Sequence, residues 1–282
     1  MTAYHRPTDL DAALRLLADT GATVAAGCTD LFPATDRRAL PGPVLDITAI
    51  PALRGIVATP EGLRLGATTT WTDVIRADLP SAFDMLKEAA REVGSVQIQT
   101  AGTLAGNLCN ASPAADGVPC LLALDAGVEL ASTSGTRRLP LSAFLTGPRQ
   151  TARRPDELLA AIHIPAAATA GRSRFLKLGA RKYLVISIAM VAARIATDAG
   201  RVTQAAIAVG ACSATARRLP DLERALTGAP ATALAAHVTE DRIAPALSPI
   251  DDIRADAAYR THAAAELVRR ALTDLSPQEA AA

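Results

Sequence analysis

A run of small residues in the middle of the chain is the feature that most limits the fold. Residues 100–120 read TAGTLAGNLCNASPAADGVPC, and the apolar segment LLALDA follows directly. Half of the chain is apolar, so a long interruption by Gly, Ala, Ser, Thr and Asn requires a physical reason. Small side chains leave the backbone accessible, which suits either a free loop or the close approach of a ligand. A second stretch of the same kind favours the ligand.

The segment AAGCTDL at residues 25–31 has the same character. Both stretches combine small residues with hydroxyl and amide side chains, among them Thr29, Thr103, Asn107 and Ser112. Such stretches expose successive backbone N–H groups, which bind phosphate oxygens well. Neither stretch fits the GxGxxG fingerprint of a Rossmann site, and the GxxxxGK[ST] P-loop is absent from the sequence. Spacing alone leaves two readings open: two ordinary turns, or one bent pyrophosphate ligand held from two sides.

The remaining pattern predicts a chain that divides near residue 168. The first part starts with a helix capped by Thr8 and ended by Gly21. It continues with strands at 23–27 and 43–50, a hairpin over 53–67, helices at about 71–78 and 83–93, and a strand that ends at Pro165. The segment AAATAGRS at 166–173 is the best linker candidate. The second part is predicted to contain a hairpin over 187–213 and then helices.

Composition excludes several classes of function. Lys and Arg number 29 against 28 for Asp and Glu, which leaves no excess of charge for nucleic acid or an anionic membrane. No apolar run approaches the roughly 20 residues that span a bilayer, and the N-terminal segment lacks the apolar region of a secretory signal. We therefore expect a cytoplasmic protein. The histidines show neither metal spacing nor a paired acid, and no CxxC spacing occurs among the cysteines at 28, 109, 120 and 212.

The two small-residue stretches resemble the paired FAD signatures of the medium subunit of molybdenum hydroxylases, the xanthine dehydrogenase and carbon monoxide dehydrogenase family. Residues 26–30, AGCTD, resemble the first signature, AGGxS or AGGTD. Residues 103–107, TLAGN, and 111–116, ASPAAD, resemble the second signature, TIGGN followed by ASPAAD. The segment FLKLGARKYLVISIAMVAA at 175–193 resembles the K-x-x-x-R region that opens the family's C-terminal domain. The resemblance covers nearly the whole chain.

The resemblance implies an α+β protein with FAD as its cofactor. The implied FAD-binding domain covers residues 1–168 as a two-subdomain, PCMH/VAO-like fold, with subdomains at about 1–55 and 56–168. A C-terminal domain at 172–282 is expected to combine a three-stranded antiparallel sheet with helices. The implied partners are a large molybdopterin-binding subunit and a small [2Fe–2S] subunit in a hetero-oligomer. The implied function is electron transfer from the partner's [2Fe–2S] clusters through FAD to an acceptor.

The resemblance also assigns candidate cofactor-binding residues, and neither a catalytic residue nor a metal ligand is expected. The candidates are Ala26, Gly27, Cys28, Thr29, Asp30, Leu31, Thr103, Ala105, Gly106, Asn107, Cys109, Ser112, Asp116, Leu159 and Lys177. Asp30 is expected to cap backbone N–H groups or hold its loop. For Asp116, contact with FAD hydroxyls and fixation of the turn are equally compatible. Lys177 is either a cation beside the flavin ring or a solvated surface lysine.

Two departures from the family pattern leave alternatives open. Cys28 and Ala105 each add a Cβ where the family often has glycine, which costs about 1 kcal/mol if the backbone needs a positive φ. Such a cost favours the alternative that the chain is an assembly subunit that has lost FAD. A free-standing flavoprotein oxidase or dehydrogenase is a further alternative, and it would need a base near the flavin. A nicotinamide-dependent Rossmann dehydrogenase is the least supported.

Overall fold

The described part of the protein comprises residues 3–37 and 39–277 of a computed structural model. Residues 1, 2, 38 and 278–282 lie outside it, so the outer ends of the two expected domains are not covered. Within the described residues, no helix combines the length and the apolar character needed to cross a membrane.

The N-terminal part is a small parallel sheet covered by one helix. Its elements are β1 (Tyr4–His5), α1 (Leu10–Thr20), β2 (Thr23–Ala25) and β3 (Val44–Asp46). The strand order is β1-β3-β2, with both pairs parallel. The helix cap is Asp9 and not the expected Thr8, because the Asp9 carboxylate accepts the Ala12 N–H at 2.9 Å. Gly21 ends the helix at φ 58°, as expected for a left-handed C-terminal glycine.

The middle part builds a five-stranded antiparallel sheet against several short helices. Its elements are β4 (Ile56–Thr59), β5 (Gly62–Gly66), α2 (Trp71–Arg76), α3 (Asp84–Glu92), α4 (Val96–Ala101), α5 (Leu104–Asn110), α6 (Gly117–Ala123), β6 (Gly127–Ser132), β7 (Gly135–Pro140), α7 (Leu141–Phe144), β8 (Leu145–Gly147), β9 (Gln150–Thr151) and β10 (Leu158–Pro165). The sheet order is β4-β5-β10-β6-β7. The predicted hairpin over 53–67 is confirmed as β4 and β5.

The C-terminal part packs a long helix on an antiparallel sheet. Its elements are β11 (Arg172–Leu178), β12 (Ala189–Asp198), β13 (Arg201–Gly210), β14 (Arg217–Arg218), α8 (Pro220–Leu226), α9 (Glu240–Ile243) and α10 (Ala257–Leu275). The three expected strands are β11, β12 and β13, and β14 adds a fourth strand of two residues. Val191 and Ile207 of the sheet share a buried core with Val268 and Leu272 of α10.

The expected linker at 166–173 is an ordered, partly buried connection. Residues Ala166–Thr169 form a 3-10 turn in which Ala168 is buried, and β11 already begins at Arg172. Phe175 of β11 and Met190 of β12 belong to the same core as the middle part. The C-terminal sheet therefore packs directly on the preceding helices, which brings β11 to the cavity described below.

Two histidines do have acidic partners, contrary to the sequence-based expectation. His163 Nε2 lies 2.8 Å from Glu129 Oε2, and His262 Nδ1 lies 2.9 Å from Glu240 Oε1. The partners are 34 and 22 residues away in sequence, so spacing along the chain does not indicate them.

Candidate functional site

A cavity of about 990 Å³ is enclosed by residues from all three parts of the chain. Its lining comes from strand β2 and the loops on either side of it, from helix α5, and from strands β10 and β11. Its volume is at the upper end of the range of small-molecule sites. All of the sequence-derived candidates line it: Ala26, Gly27, Cys28, Thr29, Asp30, Leu31, Thr103, Ala105, Gly106, Asn107, Cys109, Ser112, Asp116, Leu159 and Lys177.

The two small-residue stretches meet at Gly27. A Cβ on Gly27 would lie 2.0 Å from the Ala101 carbonyl oxygen and 2.8 Å from Gly102 Cα. Both are backbone atoms at the end of α4, so neither can rotate away. Gly27 is therefore required by the close backbone approach, because a side chain there would separate the two cavity walls that these stretches form.

The first stretch presents a series of backbone donors. Among the described residues, the N–H groups of residues 27–31 have no hydrogen-bond acceptor. The loop is held instead through its carbonyl groups, since Cys28 and Asp30 accept the N–H groups of Phe32 and Ala34. A buried or half-buried N–H group without an acceptor is costly, and successive donors of this kind bind anions. This part of the cavity is suited to phosphate oxygens.

Cys28 occupies the left-handed region of backbone space, with φ 58°. This is the conformation in which glycine has the advantage, so the strain expected for Cys28 is present. The thiol donates to the Ala26 carbonyl oxygen at 3.5 Å, and burial raises the pKa of Cys28. Its thiol therefore stays protonated and is a contact surface, not a nucleophile. Ala105 lies in the first turn of α5 and carries no such strain.

The second stretch is a helix where the sequence suggested a loop. Thr103 caps α5, because its hydroxyl accepts the Gly106 N–H at 3.0 Å. The Leu104 N–H donates to the Thr69 carbonyl oxygen at 3.0 Å, whereas the Ala105 N–H has no acceptor among the described residues. A Cβ on Gly106 would lie 2.8 Å from the Thr103 hydroxyl oxygen and disturb the cap. The first turn of α5 thus adds one more donor to the cavity.

Asn107 carries an unpaired buried oxygen. Its Oδ1 is buried and has no hydrogen-bond partner among the described residues. Asn107 lines the cavity, and a buried amide oxygen without a donor costs about 1–3 kcal/mol. A ligand with hydroxyl or N–H donors would remove that cost. Nearby, the Ser112 hydroxyl accepts the Ala114 N–H at 3.3 Å and so shapes the turn after α5.

Asp116 and Lys177 form a buried ion pair in the cavity wall. Lys177 Nζ lies 2.7 Å from Asp116 Oδ2, with only 7% and 9% of the two side chains exposed. The Ser187 hydroxyl donates to Asp116 Oδ1 at 2.8 Å. Burial raises the pKa of Asp116, and both Lys177 and Ser187 oppose that rise. Of the two readings of Lys177, the solvated surface lysine is therefore wrong.

The other candidates have simpler surroundings. Leu159 of β10 is buried and supplies apolar surface, and Cys109 is exposed to the cavity. The carboxylate of Asp30 is exposed and makes no hydrogen bond to the described residues, so it does not cap the N–H groups of its loop. Its backbone carbonyl, which accepts from Ala34, does hold the loop.

Several lining residues were missed by sequence reasoning. Arg149 lies in the β8–β9 hairpin, where its N–H donates to the Ala111 carbonyl oxygen at 2.8 Å and its guanidinium contacts Asn110. Arg153 donates to the Glu157 carbonyl oxygen at 2.8 Å. The contact between Arg149 and Asn110 spans 39 residues, so no local pattern indicates it, whereas the contact between Arg153 and Glu157 spans only four. Trp71, Leu184, Val185 and Ile186 also line the cavity.

The residues present fit the FAD that the sequence resemblance implies. A cavity lined by successive backbone donors suits a diphosphate, and the unpaired Asn107 oxygen suits a polyhydroxyl chain. Leu159 and Lys177 both line the cavity, the first with apolar surface and the second with a cation paired to Asp116. No group of three or more His, Cys, Asp or Glu within the described ranges is arranged to hold a metal ion. The arrangement is suited to binding and orienting a dinucleotide.

Comparison with known families gives two matches along the chain. The family described as FAD binding domain in molybdopterin dehydrogenase matches residues 1–167. The family described as CO dehydrogenase flavoprotein C-terminal domain matches residues 174–275.

Individual proteins are similar over almost the full length. A putative xanthine dehydrogenase FAD-binding subunit of Escherichia coli is 30% identical over 281 residues, covering 96% of this chain and 95% of that protein. The carbon monoxide dehydrogenase medium chain of Hydrogenophaga pseudoflava is 30% identical over 273 residues, covering 95% of each. A structure of CO dehydrogenase from Oligotropha carboxidovorans superimposes with a TM-score of 0.89 at 28% identity, covering 98% of this chain and 97% of that chain.

Proposed function

The chain belongs to the family of FAD-binding domains in molybdopterin dehydrogenases, and we propose that it is the FAD-binding, electron-transferring subunit of a molybdenum hydroxylase. The observation that carries the proposal is that residues 27–31, whose N–H groups have no acceptor in the described part of the chain, line the same cavity as Asn107 with its unpaired oxygen. Molybdopterin and [2Fe–2S] clusters belong to a large and a small partner subunit.

We propose that the two small-residue stretches hold the diphosphate and ribityl parts of FAD. The N–H groups of residues 27–31 and of Ala105 donate to phosphate oxygens, with Thr29 and Thr103 beside them. Asn107 accepts from ribityl hydroxyls, which satisfies its buried oxygen. Gly27 keeps both walls close enough for these contacts to act on one ligand.

The other end of the cavity holds the isoalloxazine ring in this proposal. Leu159 excludes water from one side, and the Lys177 ammonium supplies positive charge. FAD supplies the chemistry of the relay, because a flavin accepts electrons singly and releases them in pairs. The Asp116 carboxylate limits the effect of Lys177 by compensating its charge, so the pair orients the ring without leaving a buried uncompensated cation.

Two alternatives are disfavoured by the cavity. A subunit that has lost FAD would not need to keep a cavity of about 990 Å³ with unsatisfied donors. A free-standing oxidase would need a base near the flavin. The buried carboxylates on the cavity lining of the described chain, Asp116 and Glu157, are paired with Lys177 and Arg137. We further propose a cytoplasmic location, supported by the four free cysteines, because reducing compartments keep thiols unpaired.

Co-expression with candidate partner subunits tests the proposal. We expect a complex that contains both partners, and we expect the flavin of this chain to lose its visible absorption when electrons are supplied to the molybdenum subunit without oxygen. The matched control is a complex with Gly27→Ala in this chain, which keeps the partners and loses the flavin signal. A complex whose flavin does not respond, although its iron–sulfur clusters are reduced, would contradict the relay.

A further inference from the structure

Ser187 is a buried residue whose hydroxyl donates to Asp116, a residue of the cavity lining. Ser187 is the last residue but one of the segment 179–188 that connects β11 to β12, and only 2% of it is exposed. The base of this segment is closed by the Ile188 N–H, which donates to the Leu178 carbonyl oxygen at 2.8 Å. The position of Ser187 is therefore fixed by the sheet, and its hydroxyl points at Asp116 from a rigid backbone.

The Asp116 carboxylate receives one donor on each oxygen. Lys177 donates to Oδ2 at 2.7 Å, and Ser187 donates to Oδ1 at 2.8 Å. The Lys177 distance is typical of a charge-assisted hydrogen bond, and the Ser187 distance is that of an ordinary hydroxyl hydrogen bond. Burial disfavours the ionised form of such a carboxyl group, so its charge depends on these two donors.

The surroundings of Asp116 contain no second cation to replace a lost donor. Lys177 on β11 is the one charged group among the described residues that acts on this carboxyl group. On α6, the thiol of Cys120 lies 3.7 Å from the Asp116 carbonyl oxygen, and burial holds the pKa of Cys120 well above its ordinary value. That thiol is neutral and does not stabilise a carboxylate.

We propose that Ser187 is a positioning residue that keeps Asp116 ionised and thereby holds Lys177 in one direction at the cavity wall. Without the hydroxyl, one carboxylate oxygen is buried without a donor, and the carboxyl group takes up a proton at higher pH. The protonated acid no longer anchors the ammonium by charge. Any effect of Ser187 on a bound flavin rests on the proposed function, whereas the effect of Ser187 on the ionisation of Asp116 does not.

The ionisation of Asp116 is measured on the full chain without FAD. Carbon-13 NMR of labelled aspartate carboxyl groups follows each titration, and Asp116→Asn identifies the signal. We expect Ser187→Ala to raise the titration midpoint of Asp116 by roughly one to two pH units, the shift that loss of one hydrogen bond to a charged group produces. Ser187→Cys, with a weak donor of similar size, gives the same direction and serves if the alanine variant does not fold.

Ser173→Ala is the matched control. Ser173 is also buried, and its hydroxyl makes two hydrogen bonds, but its partners are the backbone groups of Ser81 and Met85. A general loss of stability therefore appears in both variants, whereas the Asp116 midpoint moves only in Ser187→Ala. An unchanged midpoint in folded Ser187→Ala, or an equal shift in Ser173→Ala, overturns the proposal.

A redox titration of the FAD-loaded chain gives an independent readout. If Asp116 takes up a proton on reduction in Ser187→Ala, the reduction equilibrium changes by an additional tenfold per pH unit, which is about 30 mV for a two-electron couple. The wild-type chain and Ser173→Ala lack this additional slope. A chain that binds no FAD contradicts the proposed function, while the NMR midpoint still decides the role of Ser187.

Discussion

The strain at Cys28 leads to a quantitative prediction for Cys28→Gly. At φ 58°, a residue with a Cβ costs about 1–2 kcal/mol relative to glycine in the folded chain. Glycine also lowers the free energy of unfolding by about 0.4–1 kcal/mol, because it increases the conformational entropy of the unfolded chain. We therefore expect Cys28→Gly to raise the free energy of unfolding by about 0.5–1 kcal/mol, the difference of these two terms.

Ala105→Gly is the control for the same chemical change at the other departure from the family pattern. Ala105 is helical and buried, so glycine relieves no strain there. It loses about 1 kcal/mol of helix propensity and about 0.8 kcal/mol for the buried methyl group. The two variants should therefore move the stability in opposite directions.

Thermal unfolding of the chain without FAD distinguishes the two variants. For a chain of this length, 1 kcal/mol corresponds to about 2–4 °C in Tm. We expect Cys28→Gly to melt about 2 °C above the wild type and Ala105→Gly about 4 °C below it. A Tm for Cys28→Gly equal to or below that of the wild type would refute the reasoning from backbone strain.

Three further predictions concern the cavity wall and its supports. In Gly27→Ala, the added Cβ must displace the Ala101 carbonyl group, so we expect a loss of about 1–3 kcal/mol in unfolding free energy and at least a roughly tenfold weaker FAD affinity, measured by fluorescence titration. Asn107→Leu removes the buried, unpaired oxygen, so we expect a higher Tm without FAD but at least a roughly tenfold weaker FAD affinity. A lower Tm without FAD would contradict the conclusion that this oxygen is buried without a donor. The hydrogen bond from Arg137 lowers the pKa of Glu157, so the stability of this pair is present above the ordinary pKa of glutamate and is lost as the pH falls through the lower folded value. Arg137→Leu should therefore move acid unfolding, followed by circular dichroism, to higher pH, and an unchanged midpoint would contradict the assignment.

Elements that depend on local pattern were predictable from the sequence. The hairpin at Pro60–Gly62 follows from turn residues between apolar runs, and β12 and β13 follow from two apolar runs around Asp198–Gly200. The two cofactor stretches were found because small residues cluster there. Whether the candidate residues of the two stretches line one cavity then depends only on whether the fold brings the two stretches together.

The helical character of α5 was not predictable from its small residues alone. Thr103 is a good cap, but glycine and asparagine inside the following turn argue for a loop. The helix is fixed by tertiary contacts, above all the bond from the Leu104 N–H to the Thr69 carbonyl oxygen in a segment more than thirty residues earlier. Tertiary structure here overrides local propensity.

Polar pairs that join distant parts of the chain were also beyond sequence reasoning. Asp116 and Lys177 are 61 residues apart, and Arg149 and Asn110 are 39 residues apart. Each looks like an ordinary polar residue in the sequence, because no periodicity marks the partner. The order of the connection at 166–173 was beyond sequence reasoning for a related reason: its turn, with the buried Ala168, packs against β5 and β10.

The central claim is that this cavity binds FAD, and a titration of the purified full-length chain tests it most directly. After removal of any bound cofactor, the chain is titrated with FAD, and the bound flavin is identified by chromatography after heat release. We predict saturation at one FAD per chain, with a visible flavin spectrum on the protein. A colourless chain that takes up no FAD, although circular dichroism shows it to be folded, would contradict the account.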